Sequence, residues 1–323
     1  MNKLLGTVLT SALTISLLAG CGTSTGSKKK VGIIQFMDHT SLNEIKDSFD
    51  KEMKTLGYDD KNIEYTFKNG QGDTNTCASI ANDFAGKNFD CVMAIATPAA
   101  QAVAKLATKT PVVFSAVTDP VGAQLTSSLS KPDKNITGTS DEVQVDQIID
   151  KALEINPNTK TIGMLYNKGE ANSVTNIKKA KAYCAKKNIK IEEATIASVN
   201  EAQSAVNVLN SKCDAIFAPN DNTVASAMNV VSDACKKANK PLYVGADSMV
   251  KDGGFLSVGI DYKELGKETA KIVDKVLKGN KVENIPVKVF KTNLKIYVNT
   301  TTKDKLGIKL PENITSDSKY TEI

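Results

Sequence analysis

Val31-Gly32-Ile33-Ile34-Gln35 recurs 131 positions later as Ile162-Gly163-Met164-Leu165-Tyr166. Each run is short and apolar, the pattern of a strand covered on both faces. Two more landmarks follow in the same order. Asp90 before Cys91-Val92-Met93-Ala94 matches Asp214 before Ala215-Ile216-Phe217-Ala218. Lys109-Thr110-Pro111-Val112-Val113 matches Asn239-Lys240-Pro241-Leu242-Tyr243. Three landmarks at nearly constant offset indicate one lobe written twice.

Working outward, apolar runs at 112–114, 242–245 and 255–258 complete the strand candidates. Helical patterns separate them, among them 41–56, 74–86, 99–108, 172–187 and 224–238. Alternation of this kind predicts βαβ units and parallel sheets. The expected fold class is α/β, with two Rossmann-like lobes joined by a multi-strand hinge. A helix over 262–277, closed by Gly279-Asn280, precedes extended runs at 286–290 and 294–298 and a short helix near 302–306. This tail is expected to cross between the lobes. The expected division is 31–139 with 261–281 for the first lobe and 140–260 with 282–323 for the second. Hinge segments are expected near 137–142, 259–261 and 281–286.

Composition removes several function classes. The chain has 323 residues, 24% charged and 41% hydrophobic, as expected of a folded domain pair. All 41 basic residues are lysines, so no guanidinium can clamp a carboxylate or phosphate. There is one histidine, His39. With no GxxxxGK loop, no metal-ligand spacing and no nucleophile elbow, an enzyme is not expected. A transcription regulator is disfavoured by the missing helix-turn-helix and by the start of the chain. Residues 1–20 read as a secretory signal, with Lys3 ahead of an apolar stretch from Leu4 to Leu18. The ending Leu18-Ala19-Gly20-Cys21 resembles the bacterial lipobox, which implies lipidation of Cys21. Residues 21–30 then read as a flexible, lysine-rich tether. The other five cysteines show no CxxC spacing and read as small buried hydrophobes.

Ligands of open parallel sheets bind beyond the carboxyl ends of the strands. In the first lobe those positions hold Gln35-Phe36-Met37-Asp38-His39-Thr40-Ser41-Leu42, then Thr97, then Ser115 and Thr118. Thr97 reads as an N-cap with Pro98 at the first helical position, aiming the amides of Ala99 and Ala100 into the cleft as an anion site. In the second lobe they hold Glu170 and Asn172, then Asp221, then Asp247. Hydroxyls and amides on one side and carboxylates on the other suit a zwitterion, hence an amino acid. Phe36, Met37, His39 and Leu42 offer an apolar wall with a polar edge for an aromatic side chain. Asp38, Gln35 or Glu170 is within reach of a phenolic hydroxyl in this reading.

The blocks 35–42, 96–101, 115–120 and 245–247, with Gly259-Ile260-Asp261-Tyr262-Lys263-Glu264-Leu265-Gly266, resemble the ABC-transporter substrate-binding lipoproteins of the tryptophan/tyrosine-binding group. The resemblance implies a type I periplasmic-binding-protein fold and extracytoplasmic capture of an amino acid for an ABC permease. It further implies that Thr97 and Thr118 take the carboxylate and Asp247 the ammonium, with Ser115 and Asn172 helping. The family's first loop usually reads His-Pro-Ala-Leu-Asp, whereas here it is His39-Thr40-Ser41-Leu42-Asn43. Tyrosine is the favoured ligand, ahead of tryptophan and phenylalanine. A surface adhesin and a sugar or nucleoside binder are the alternatives, the latter disfavoured by 5% aromatic content. The expected partners are the amino acid, the permease and the anchoring membrane. A monomer is expected, with no nucleic acid, cofactor or metal.

Overall fold

In the computed structural model, which describes residues 27–292 and 294–323, the repeated pentads become inner strands of two separate sheets. The expected signal segment and Cys21 lie outside the described residues. β1 (Lys29–Gln35) starts two residues earlier than expected, so the last two lysines of the expected tether are already strand. Lys30 N donates there to Asp90 Oδ2 at 2.8 Å.

The first lobe continues with α1 (Thr40–Thr55), β2 (Ile63–Asn69), α2 (Thr74–Ala85), β3 (Cys91–Ile95), α3 (Thr97–Val103), β4 (Val112–Ser115) and β5 (Ile136–Ser140). The second contains α4 (Val145–Ile155), β6 (Thr161–Tyr166), α5 (Ala171–Lys186), β7 (Lys190–Thr195), α6 (Ala202–Lys212) and β8 (Ala215–Ala218). It goes on through α7 (Asn222–Ser226), α8 (Met228–Lys237), β9 (Leu242–Val244), α9 (Asp247–Lys251) and β10 (Leu256–Gly259). The parallel core runs β2-β1-β3-β4-β5 in one sheet and β7-β6-β8-β9-β10 in the other. This common doubly wound order reverses beside the first strand of each lobe, which is where such folds open a ligand crevice.

Glycine at the second position of each pentad has a packing cause. A Cβ on Gly32 would lie 2.9 Å from the rings of Phe84 and Phe89, and one on Gly163 would lie 2.9 Å from Ile216. Strands β2, β5 and β7 escaped the apolar-run criterion for two reasons. β2 and β7 are sheet edges with polar, half-exposed sequences. β5 is fully buried but reads Ile-Thr-Gly-Thr-Ser. Its hydroxyls are satisfied inside: Thr137 Oγ1 donates to Ile285 O at 2.7 Å, and Thr139 Oγ1 lies 2.9 Å from Thr269 Oγ1.

After β10 the chain returns to the first lobe as α10 (Tyr262–Leu277), then β11 (Lys288–Val289), which pairs with β5. It crosses again into β12 (Lys295–Val298), antiparallel to β10, and ends in β13 (Tyr320–Glu322). Residues 282–289 therefore lie on the first lobe, not the second as expected. The last crossing falls between 289 and 295 rather than at 281–286. The five described cysteines are free and buried, as their sequence setting implied.

α10 lies against α1 at Gly266, where a Cβ would stand 2.3 Å from Ile45 O and would overlap Ser48 Oγ. Gly266→Ala is expected to destabilise the protein by about 2 kcal/mol, because the clash is with backbone and outweighs the gain in helix propensity. Urea unfolding checks this by a lower midpoint with an unchanged slope.

Candidate functional site

The cleft is built where the chain leaves β3 and β4. Ala96, the residue after β3, has φ +81° and ψ 153°, and Ala116, after β4, has φ +56°. Side-chain-bearing residues rarely hold such angles, which cost on the order of 1–3 kcal/mol each. The two bends turn Thr97 and Thr118 toward the second lobe, and all four residues line one cavity. The cavity they enclose is small, about 10 Å³, roughly room for one water, so the lobes stand close together around it.

Each lobe contributes to the walls. His39, Ser41 and Leu42 come from the start of α1, and Asp141 from the end of β5. Opposite stand Asn172 at the start of α5, Asn220, Asn222 and Ala225 around α7, and Met249 on α9. Tyr262, the first residue of α10, closes the hinge side.

Asp141 is the carboxylate of the cleft. It accepts from Thr118 Oγ1 at 3.0 Å, Asn220 Nδ2 at 2.6 Å and Tyr262 OH at 2.7 Å. Burial raises its pKa, and those three donors oppose the shift. Asn220 Nδ2 also donates to Thr118 Oγ1 at 2.7 Å, so one carboxamide ties the lobes together. Further ties run from Ser41 Oγ to Ser248 Oγ and from Lys251 Nζ to Glu44 Oε1 at 2.9 Å.

Behind the second lobe's wall sits Glu170, itself buried. It accepts from the backbone N–H groups of Asn222 and Thr223, from Thr223 Oγ1, and from the amides of Asn172 and Asn222. Burial, then the charge of Asp221, raises its pKa, while the hydrogen bonds from Asn222 and Asn172 favour the ionised form. Asp221 caps α7 by accepting from Val224 N at 2.8 Å, and it also accepts from Ser173 Oγ at 2.6 Å. His39 Nε2 lies 3.1 Å from Asn222 Oδ1. Burial lowers the His39 pKa to about 4, against the smaller raising effects of Asn222 and Asp38, so the ring is neutral at pH 7.

Three polar atoms of the cavity residues are buried without a hydrogen-bond partner: Thr97 Oγ1, Asn172 Oδ1 and His39 Nδ1. Buried polar atoms are nearly always paired, so a cluster of such exceptions marks where a ligand's polar groups fit.

Of the residues expected at the site, His39, Leu42, Thr97, Thr118 and Asn172 meet in this cavity. The others stand elsewhere. Asp247 is the main correction: its carboxylate is held by Lys251 Nζ, one helical turn on, at 2.8 Å, and by Tyr262 N at 3.3 Å. Burial raises its pKa to about 6, with Lys251 opposing. Thr97 is the first helical residue and not the cap, which is Ala96. Ala99 and Ala100 are buried in α3, and Ala100 N donates within the helix to Ala96 O. Ser115 bonds to Thr139 and Thr269 inside the first lobe. Phe36 packs in the core. Gln35 donates to Met37 O and Asn43 Oδ1, shaping the turn into α1. Glu170 and Asp221 stand behind the wall and not on it.

A family model described as ABC transporter substrate binding protein matches residues 30–321. The chain is an ABC transporter substrate-binding protein. The family binds solutes for import outside the cytoplasm and is not catalytic. The architecture is that of type I periplasmic binding proteins. The binding protein is 33% identical to the "Tyrosine-binding protein" of Clostridioides difficile over 88% of this chain and 87% of that one. It superposes with a TM-score of 0.87 on an ABC domain from Streptococcus pneumoniae in complex with L-Trp, at 38% identity, covering 92% of this chain and 100% of the other. The ligand-free, open structure of a substrate-binding protein with adhesive properties from Clostridium difficile gives 0.68 at 34% identity, covering 91% and 99%. Among the described residues no helix is long and apolar enough to cross a membrane.

His39 makes stability depend on pH in a defined direction. Its folded pKa of about 4 lies below the ordinary 6.5. As pH falls below about 6.5, the unfolded chain takes the proton first, and stability is lost down to about pH 4. The stability difference between wild type and His39→Gln is therefore expected to move by about 3 kcal/mol in favour of wild type from pH 4 to pH 7. Chemical denaturation of both proteins across that range measures it.

Proposed function

We propose that this binding protein captures an aromatic L-amino acid, tyrosine first and then tryptophan or phenylalanine, and delivers it to an ABC permease. The observation that carries the reading is the likeness, at a TM-score of 0.87 and 38% identity, to a domain in complex with L-Trp. The relative named for tyrosine supports it, as does the chemistry of the cleft.

In this reading the α-ammonium sits on Asp141 and Asn172 Oδ1. The α-carboxylate takes a hydrogen bond from Thr97 and one from Thr118, whose single hydroxyl hydrogen turns from Asp141 to the ligand as the ammonium takes its place on that acid. Both groups hang from one carbon, so hydroxyls and acid must stand close together, and Thr118 Oγ1 is 3.0 Å from Asp141 Oδ1. The side chain runs toward His39, Leu42, Ala225 and Met249. Ligand that touches Asp141 and Asn172 together touches both lobes and so favours the closed form through its differential contacts.

We further read Cys21 as the lipid anchor that holds the protein at the outer face of the membrane. The adhesive properties of the Clostridium difficile relative make adhesion a second role consistent with that position.

Titration calorimetry with tyrosine, tryptophan, phenylalanine and a sugar panel is the test. Saturable binding of aromatic amino acids alone is expected, and binding of a sugar alone overturns the reading. Asp141→Asn should weaken amino-acid binding by about 2–5 kcal/mol, the cost of truncating one partner of a buried charge pair. Wild-type affinity in that variant moves the ammonium elsewhere. Cys21→Ser is expected to release the protein from the membrane fraction into the medium, as a protein held by its lipid must behave.

A further inference from the structure

We propose that Glu170 is a positioning residue that, through Asn222, fixes His39 as the Nε2–H tautomer, so that Nδ1 accepts a hydrogen bond from an O–H or N–H on the ligand's side chain. The ligand half of this proposal rests on the aromatic-amino-acid reading above; the tautomer half does not.

The orientation passes along three residues. Five N–H and O–H donors converge on the two oxygens of Glu170, a set that suits the ionised carboxylate, which accepts only, and leaves no place for a carboxyl hydrogen. Asn222 can therefore turn only its NH2 group to Glu170, which leaves Oδ1 on the opposite side. There it meets His39 Nε2 at 3.1 Å. A carbonyl oxygen cannot donate, so the hydrogen of that contact belongs to Nε2. The ring is neutral at pH 7, with a pKa of about 4. Nδ1 is then a bare lone pair, buried and unpartnered in a residue that lines the cavity.

The same carboxylate orients a second amide. Asn172 Nδ2 donates to Glu170 Oε2 at 3.1 Å and to Asn220 O at 3.2 Å, which leaves its Oδ1 as the other unpartnered acceptor of the cavity. One buried acid thus orients two acceptors of the cavity, one on each lobe. A ligand that meets both brings two donors, an ammonium for Asn172 and a phenol or indole edge for His39. Phenylalanine brings only the first and leaves Nδ1 desolvated without compensation.

His39 is the sole histidine of the chain, so protein labelled with 15N-histidine yields one imidazole. At pH 7 its two nitrogen shifts should report Nε2 protonated and Nδ1 bare, and tyrosine should shift the Nδ1 resonance. Glu170→Gln should populate the opposite tautomer, because an amide at 170 can donate to Asn222 Oδ1 and reverse that side chain. A ring protonated on Nδ1 in the wild-type protein overturns the relay, whatever the variant does. Paired affinities test the ligand half: tyrosine against phenylalanine, and tryptophan against its indole-N-methyl derivative. Wild type should favour the donor-bearing member by about tenfold or more, and His39→Leu should bring both ratios near one. Ratios unchanged in His39→Leu overturn the donor contact. If no aromatic amino acid binds, the proposed function fails, while the imidazole spectrum still decides the relay.

Discussion

Asp141 is the junction on which the rest of the molecule turns. It stands where the chain first leaves one lobe for the other, and it accepts from a residue of each neighbouring part. Thr118 comes from the first lobe, Asn220 from the second and Tyr262 from the return crossing. A buried carboxylate is tolerated only when its oxygens are satisfied. Any change in the angle between the lobes must therefore break or replace the bond from Asn220. A cation placed on this carboxylate competes for the same lone pairs, which couples occupancy of the cleft to lobe position without a separate signalling element.

The second lobe spends its acids differently. Glu170 and Asp221 lie behind the cleft wall and hold the first turns of α5 and α7 in place. Their donors are amides and hydroxyls in place of lysines, so this wall is polar, neutral on its surface and rigid. The chain has no arginine, and the first lobe answers with backbone bends instead. The angles at Ala96 and Ala116 are costly, and they bring Thr97 and Thr118 to the cavity wall.

Asp247 stands off the cavity for a local reason. Read along the chain, an aspartate just beyond a strand of the second lobe is a fair ammonium partner. In the fold, Asp247 opens a five-residue helix, and Lys251, four residues on, satisfies it. Lys251 also reaches Glu44 across the lobe boundary, so Glu44 and Asp247 already share a cation of their own. The acid that does face the cleft was hidden because it follows β5, a strand whose threonines conceal it from any search for apolar runs.

What the sequence alone determined is the part carried by local pattern: two α/β lobes, parallel sheets, and a crevice at the strand ends with His39, Leu42, Thr97, Thr118 and Asn172 in it. Periodicity and repetition are properties of neighbouring residues, so they survive without coordinates. Only the tertiary structure decided which acid faces the cleft, which hydroxyls are already satisfied inside a lobe, and which face of each amide looks inward. Those outcomes depend on pairings across 79 and 121 positions, as between Asn220 or Tyr262 and Asp141. A polar side chain's role is set by whether a partner reaches it first, and the order of residues does not record that distance.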